Sequence, residues 1–134
     1  MVAAAAVNTA RVARTQPSAL PKLCIFSKHM AQFDWKELGR KAKEIGFEGV
    51  DLTVRPKGHV LPERVREDLP RAVEAIRAAG LDVPMITTDL KSAADPAAAP
   101  TLETMQKLGI KLFKPGYWNY TKGRTVLQTQ AEVR

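Results

Sequence analysis

One short phrase occurs three times in this chain: an amphipathic stretch, a glycine, then a run of apolar residues. The junctions are Glu44-Ile45-Gly46-Phe47, Ala78-Ala79-Gly80-Leu81 and Lys107-Leu108-Gly109-Ile110. Each has the form of a helix that stops at a glycine and turns into a buried strand. The residue just past a helix end often takes a left-handed backbone, which only glycine adopts without steric cost. The three glycines stand 34 and 29 residues apart, the length of a repeated β/α unit. Successive β/α units make parallel strands, and parallel sheets of this kind collect their binding residues just past the strand ends.

The pattern predicts strands at residues 23–27, 49–54, 83–87 and 110–113. Asp34 reads as a helix N-cap with Glu37 as its capping-box partner, and Gly46 closes that helix. Trp35, Leu38, Ala42 and Ile45 recur at helical spacing and predict one apolar face. Pro70 would break a helix interior, so the second helix is expected to begin near Asp68, after an irregular turn at Pro62. Leu69, Val73 and Ile76 supply its buried face, and Gly80 ends it. Asp95-Pro96 combines an N-cap with proline at the first helical position. Leu102, Met105 and Leu108 are expected to point inward from that third helix. From Thr121 onward the patterning is weak, although Val126, Leu127 and Val133 fit part of a fourth helix.

About four parallel strands with three to four helices make an α/β fold, the N-terminal half of a (β/α)8 TIM barrel. A complete barrel takes about 250 residues. A small open α/β sheet is the other architecture that fits this length. On this reading the chain is a truncated piece.

Residues 1–21 stand apart from the domain expected over 22–134. Residues 1–7 are nearly all alanine and valine, and no acidic residue precedes Asp34. Arg11 and Arg14 follow the apolar stretch, whereas a complete secretory signal places its positive charges first. The segment is expected to be a disordered tail or the remnant of a signal. A cytoplasmic location is expected, with export as the alternative if it is a signal remnant. No apolar run approaches the roughly 18 residues that suggest a membrane span.

The single cysteine, Cys24, excludes an internal disulfide and a cysteine-based zinc cluster, and its apolar surroundings suit an inert buried thiol. Two histidines are too few for a histidine-rich metal centre. The net charge of +7 comes from residues spread along helix faces, with no block of five like charges. That distribution favours a solvated surface over a nucleic-acid patch.

Polar residues that are hard to explain structurally collect after each strand. Lys28 and His29 follow the first; Asp51, Arg55, Gly58 and His59 belong to the second. Thr87, Thr88 and Asp89 end the third, and Lys114, Tyr117, Trp118 and Tyr120 follow the fourth. In β/α folds these loops share one face. Asp51 lies within a strand, where a carboxylate needs a partner, either substrate or a neighbouring loop. His59 is a candidate for substrate binding or proton transfer, or a solvated loop residue. The threonine pair suits hydroxyl or phosphate binding, or a turn. The aromatic group fits stacking on a sugar ring or folding back on the core. No GxGxxG, P-loop, HExxH or GxSxG motif is present.

The segment Gly46-Phe47-Glu48-Gly49-Val50-Asp51-Leu52 resembles the GFxGV[ED]L stretch of xylose-isomerase-like β/α barrels. These are sugar (phosphate) isomerases and epimerases, including hydroxypyruvate-isomerase-like proteins. Arg55-Pro56-Lys57-Gly58-His59-Val60-Leu61-Pro62 resembles a loop in a bacterial branch of the group. Val83-Pro84-Met85-Ile86-Thr87-Thr88 and Leu108-Gly109-Ile110-Lys111 fit its third and fourth strands. The resemblance covers about residues 22–120.

It implies a TIM barrel with a divalent metal at the mouth, held by Glu, Asp and His of later strands. In that family a proton or hydride moves between adjacent sugar carbons, with the metal polarising an oxygen. The chain ends before those strands, so the metal ligands are expected to be absent from it. Carried over by position, Asp51, Arg55, His59, Thr88 and Lys114 would contact a small sugar or sugar phosphate. Family members often carry arginine near the position of Lys114, and a lysine there offers a point charge in place of a bidentate fork.

The chain alone is expected to be inactive and to self-associate through its open sheet edges. Apurinic-site endonucleases share the barrel, and the charge of +7 is compatible with DNA. Their multi-zinc site needs more histidine than this chain has. A non-catalytic α/β module that dimerises through its open edge is the third alternative.

Overall fold

The computed structural model describes residues 21–119 and 121–133. Residues 1–20, which make up nearly all of the expected tail, and Tyr120 lie outside the described residues. Four strands and four α-helices alternate: β1 (Cys24–Phe26), α1 (Trp35–Ile45), β2 (Gly49–Val54), α2 (Val65–Ala78), β3 (Asp82–Thr88), α3 (Ala98–Leu108), β4 (Leu112–Lys114) and α4 (Val126–Val133). Short 3-10 turns at Ser27–Met30 and Pro62–Arg64 follow β1 and precede α2. The strands form one parallel sheet in the order β1-β2-β3-β4, the arrangement of half a (β/α)8 barrel.

The glycines of the repeated phrase do what the repeat requires. Gly46, Gly80 and Gly109 have φ of 104°, 76° and 72°, and each follows a helix. At the other end of α1, the Asp34 carboxylate accepts the Glu37 N–H at 2.8 Å. That bond satisfies one of the donors a helix start leaves free.

The core lies between the helices and one face of the sheet. Val50, Leu52 and Val54 of β2 and Val83 and Ile86 of β3 pack against Leu38, Leu69, Val73, Ile76 and Met105. Strand residues alternate in direction, so the opposite face carries Asp51 and Thr53 of β2. The register adds Phe26 of β1, Met85 and Thr87 of β3, and Leu112 and Lys114 of β4.

Several expectations are corrected. The second helix begins at Val65, not near Asp68, and Pro70 lies inside it. Pro70 removes one hydrogen bond near the helix start, but the first turn has other ties. The Arg64 guanidinium donates to both Asp68 oxygens at 2.7 and 3.1 Å, and Val65 and Leu69 are fully buried. Burial of that turn outweighs one missing bond.

Ile45 is 65% exposed rather than part of the apolar face of α1. Leu38 and Ala42 of the expected face are buried, and Gly39 joins them. A Cβ on Gly39 would stand 3.1 Å from the Ala79 Cβ, so the glycine lets α1 and α2 approach closely and sets the rotation of α1. Leu102 is likewise 43% exposed, and Thr101, Thr104 and Met105 are buried on α3. Thr104 tolerates burial because its hydroxyl donates to the Pro100 carbonyl at 2.7 Å. The fourth strand runs from Leu112 to Lys114 rather than from Ile110. Ile110 is buried and closes the end of α3, its N–H donating to the Met105 carbonyl at 3.0 Å.

Candidate functional site

Asp51 sits in the middle of β2 on the face away from the core, level with Phe26 on one side and Met85 on the other. The Thr87 hydroxyl, one strand over, stands 3.0 and 2.9 Å from the two carboxylate oxygens, so its single hydrogen is shared between them. Burial pushes the Asp51 carboxyl above the ordinary carboxylate range. The Thr87 hydrogen bond and the positive charges of Lys114 and Arg55 oppose that rise.

The two cations are each set against an aromatic ring. Lys114 Nζ lies 3.8 Å from the centre of the Tyr117 ring. The Arg55 guanidinium lies 5.8 Å from the centre of Phe26, whose ring meets His29 edge-on at 5.8 Å. Such contacts leave a cation's charge in place while restricting its position. On the open face, one half-buried carboxylate thus carries a hydroxyl donor and feels the charge of two cations, each set against an aromatic ring. Three of the expected site residues, Asp51, Arg55 and Lys114, come together here.

His59 and Thr88 are directed elsewhere. The loop after β2 folds back on its own strand: Arg55 N–H donates to the Val60 carbonyl and Val60 N–H to the Thr53 carbonyl, both at 3.1 Å. Lys57 takes a left-handed backbone with φ of 60° at the tip. The His59 N–H donates to Thr53 Oγ1 at 3.0 Å, and its ring Nδ1 lies 3.2 Å from the same oxygen. Thr53 also meets Ser27, whose Oγ accepts the Thr53 N–H at 2.9 Å. Trp35 Nε1 donates to the His59 carbonyl at 2.9 Å. His59 therefore braces three segments: the turn after β1, the end of β2 and the start of α1.

Its Nε2 is buried with no hydrogen-bond partner. Burial pushes the His59 pKa below its ordinary value of 6.5. The Met30 and Phe33 carbonyls favour the protonated ring, though neither makes a geometric hydrogen bond to Nε2.

Thr88 is buried and pairs with Val54, on the opposite parity to Asp51. Its hydroxyl donates to the Lys114 carbonyl at 2.9 Å and so anchors the end of β4. Of the threonine pair it is Thr87 that reaches the carboxylate. Asp89 is exposed, and the loop beyond β4 closes on its backbone. A Cβ on Gly116 would stand 2.6 Å from the Asp89 carbonyl oxygen, and Gly116 N–H donates to the Leu90 carbonyl at 2.8 Å. Tyr117 and Trp118 are exposed. Cys24 is partly exposed and not the buried thiol expected, and its partial burial pushes the thiol pKa up.

Phe26 and the Ser27–Thr53 pair join the site only in the folded chain. The alternation through Cys24 and Phe26 was the available signal for the first. The second depends on strand register, which a single sequence does not display.

The larger clefts lie away from this cluster. One of about 450 Å³ runs between Pro62–Arg64 and the segment holding Asp95, Pro96 and Pro100. Among the described residues no group of three or more His, Cys, Asp or Glu side chains stands close enough to hold a metal ion. Asp51 has a hydroxyl and cations around it, not further ligands, so the residues present do not fit the divalent metal that the resemblance implies. No helix among the described residues is long and apolar enough to cross a membrane. No protein-family model matches the chain, and no curated protein matches it.

Proposed function

We propose that this chain supplies a substrate-contacting half-site of a sugar or sugar-phosphate isomerase or epimerase of xylose-isomerase-like type. The observation that carries the reading is the Asp51–Thr87 pair on the open face of a half-barrel sheet, with Arg55 and Lys114 beside it. A carboxylate with one donor attached retains lone pairs for the hydroxyls of a polyol. Thr87 fixes the plane of that carboxylate. Arg55 and Lys114 supply donors for further hydroxyls or for phosphate oxygens. Phe26 and Tyr117 offer flat apolar surface to the C–H side of a sugar ring. These groups bind and orient. The metal-dependent step of the family has no ligands among them, and none is assigned here.

The test is an NMR titration of the isotope-labelled chain with xylose and with glucose 6-phosphate. Shift changes centred on Asp51, Thr87 and Lys114 at millimolar ligand support the reading, and Asp51→Asn is expected to weaken binding about tenfold. Changes spread evenly over the surface, or none, overturn it. Assayed alone with magnesium or manganese, the chain is expected to show no turnover. Metal-dependent isomerase activity from a soluble monomer would contradict a half-site.

A further inference from the structure

The two outer strands and the charges of the open face bear on how this chain associates with itself. β1 and β4 each bond to a single neighbour in the sheet, and both are three residues long. Exposed apolar side chains stand at both margins: Leu23, 62% exposed, beside β1, and Leu112, 60% exposed, with Phe113 on β4. Among the described residues the outer side of each of these strands has no partner, and such an edge with apolar flanks is a template for further pairing. A two-fold axis along the barrel axis keeps every strand parallel. It sets β4 of each copy beside β1 of the other, closing eight strands without an edge.

The charges fit the same symmetry. Asp51 is level with Met85, and Met85 with Leu112. Lys114 stands two residues further along β4. In a barrel of eight strands and shear 8, a layer drifts about one residue per strand, or about two between alternate strands. Asp51 on the second strand and Lys114 on the fourth therefore fall in one layer. Such a layer takes four side chains, all from alternate strands. The two-fold axis fills it with Asp51 and Lys114 from one copy and the same two residues from the other. Going round the ring, the signs alternate.

We propose that two copies of this chain close into one eight-stranded barrel, with Asp51 and Lys114 of both copies alternating in a four-residue layer at its mouth. Neither copy has a complete mouth alone, since each contributes half of that layer. This inference does not depend on which ligand the mouth takes.

Light scattering on the full chain across a micromolar dilution series is the first measurement. A mass of twice 14.7 kDa is expected. Asp51→Lys puts four cations in the layer and Lys114→Asp puts four carboxylates there. Each single variant is expected to self-associate about a hundredfold more weakly. An equimolar mixture of the two single variants restores two charges of each sign, as does the double variant, and both are expected to dimerise again. Circular dichroism checks that each variant is folded.

If a single variant fails to fold, Leu112→Cys with the native Cys24 gives a second readout. Within one copy these positions are three strand spacings apart, about 14 Å, too far for a disulfide. Across the seam a short bis-maleimide is expected to yield a covalent dimer. A wild-type monomer, open-ended aggregates, single variants that still dimerise, a mixture that does not recover, or the absence of the cross-link would each overturn the proposal.

Discussion

The two faces of this sheet are built from adjacent residues of the same strands, yet they are stabilised by different physics. On the helix-covered face Val50, Leu52, Val54 and Ile86 are almost completely withdrawn from solvent within one hydrophobic cluster. On the other face Thr87 donates to Asp51, and Thr53 bonds Ser27 and His59. The first face gains from removing area from water, which is insensitive to angle. The second depends on directed bonds, and its charges respond to pH and to whatever docks there. One face can therefore hold the fold while the other is left free to carry chemistry.

Removing bulk from the covered face should do most damage. Leu52→Ala is expected to cost about 3 kcal/mol in urea denaturation, from lost transfer energy and the cavity left behind. A loss below about 1 kcal/mol would mean that this face is not the core. Next comes the brace on the polar face. Thr53→Val removes the acceptor for the His59 N–H and the partner of Ser27, and is expected to cost about 2 kcal/mol. If Thr53→Val proves neutral, the cluster contributes nothing and the contrast between the faces weakens.

Thr87→Val should cost less, about 1 kcal/mol, because Asp51 is only half-buried and water can replace one donor. Its clearer signature is expected in the carboxyl titration followed by NMR. Without the hydroxyl, the main influence opposing burial is gone, so the Asp51 pKa should move further upward.

The smallest effect is a pH slope. The His59 pKa is lowered on folding, so the neutral ring contributes stability that is present above pH 6.5. That contribution is lost as the pH falls from 6.5 through the lower folded value. Asp51 runs the other way: its raised pKa gives a contribution present below 3.8 and lost as pH rises through the folded value. Stability measured in urea against pH should therefore fall below 6.5 in the wild type, and His59→Gln should remove that part of the slope. An unchanged slope in the variant would assign the acid sensitivity to other groups.

Much of the fold was legible because its signals are local. Gly46, Gly80 and Gly109 are required by backbone sterics alone, and Asp34 caps the helix that follows it. The errors fall where neighbours decide. The sequence predicts a helix start near Asp68, but burial of Val65 and Leu69 and the Arg64–Asp68 bonds bring the start forward to Val65. Ile45 and Leu102 carry the right spacing, yet both face outward, Ile45 because the close approach of α1 to α2 at Gly39 buries a different side of α1. In the candidate site, Asp51 could be named as a carboxylate within a strand, and Arg55 and Lys114 from their place at strand ends. The choice of Thr87 over Thr88 could not, since it depends on register.

Taken alone, the sequence determined the β/α order, the helix stops and the concentration of polar residues past the strands. All of these follow from interactions within a few residues of each other. Only the tertiary structure decided which of those polar residues meet. Strand pairing brings Thr87 to Asp51, 36 residues away in sequence, and the loop after β2 folds His59 back onto Thr53, which in turn meets Ser27. A shift of one residue in that pairing would reverse which side chains face the core and which face the open side.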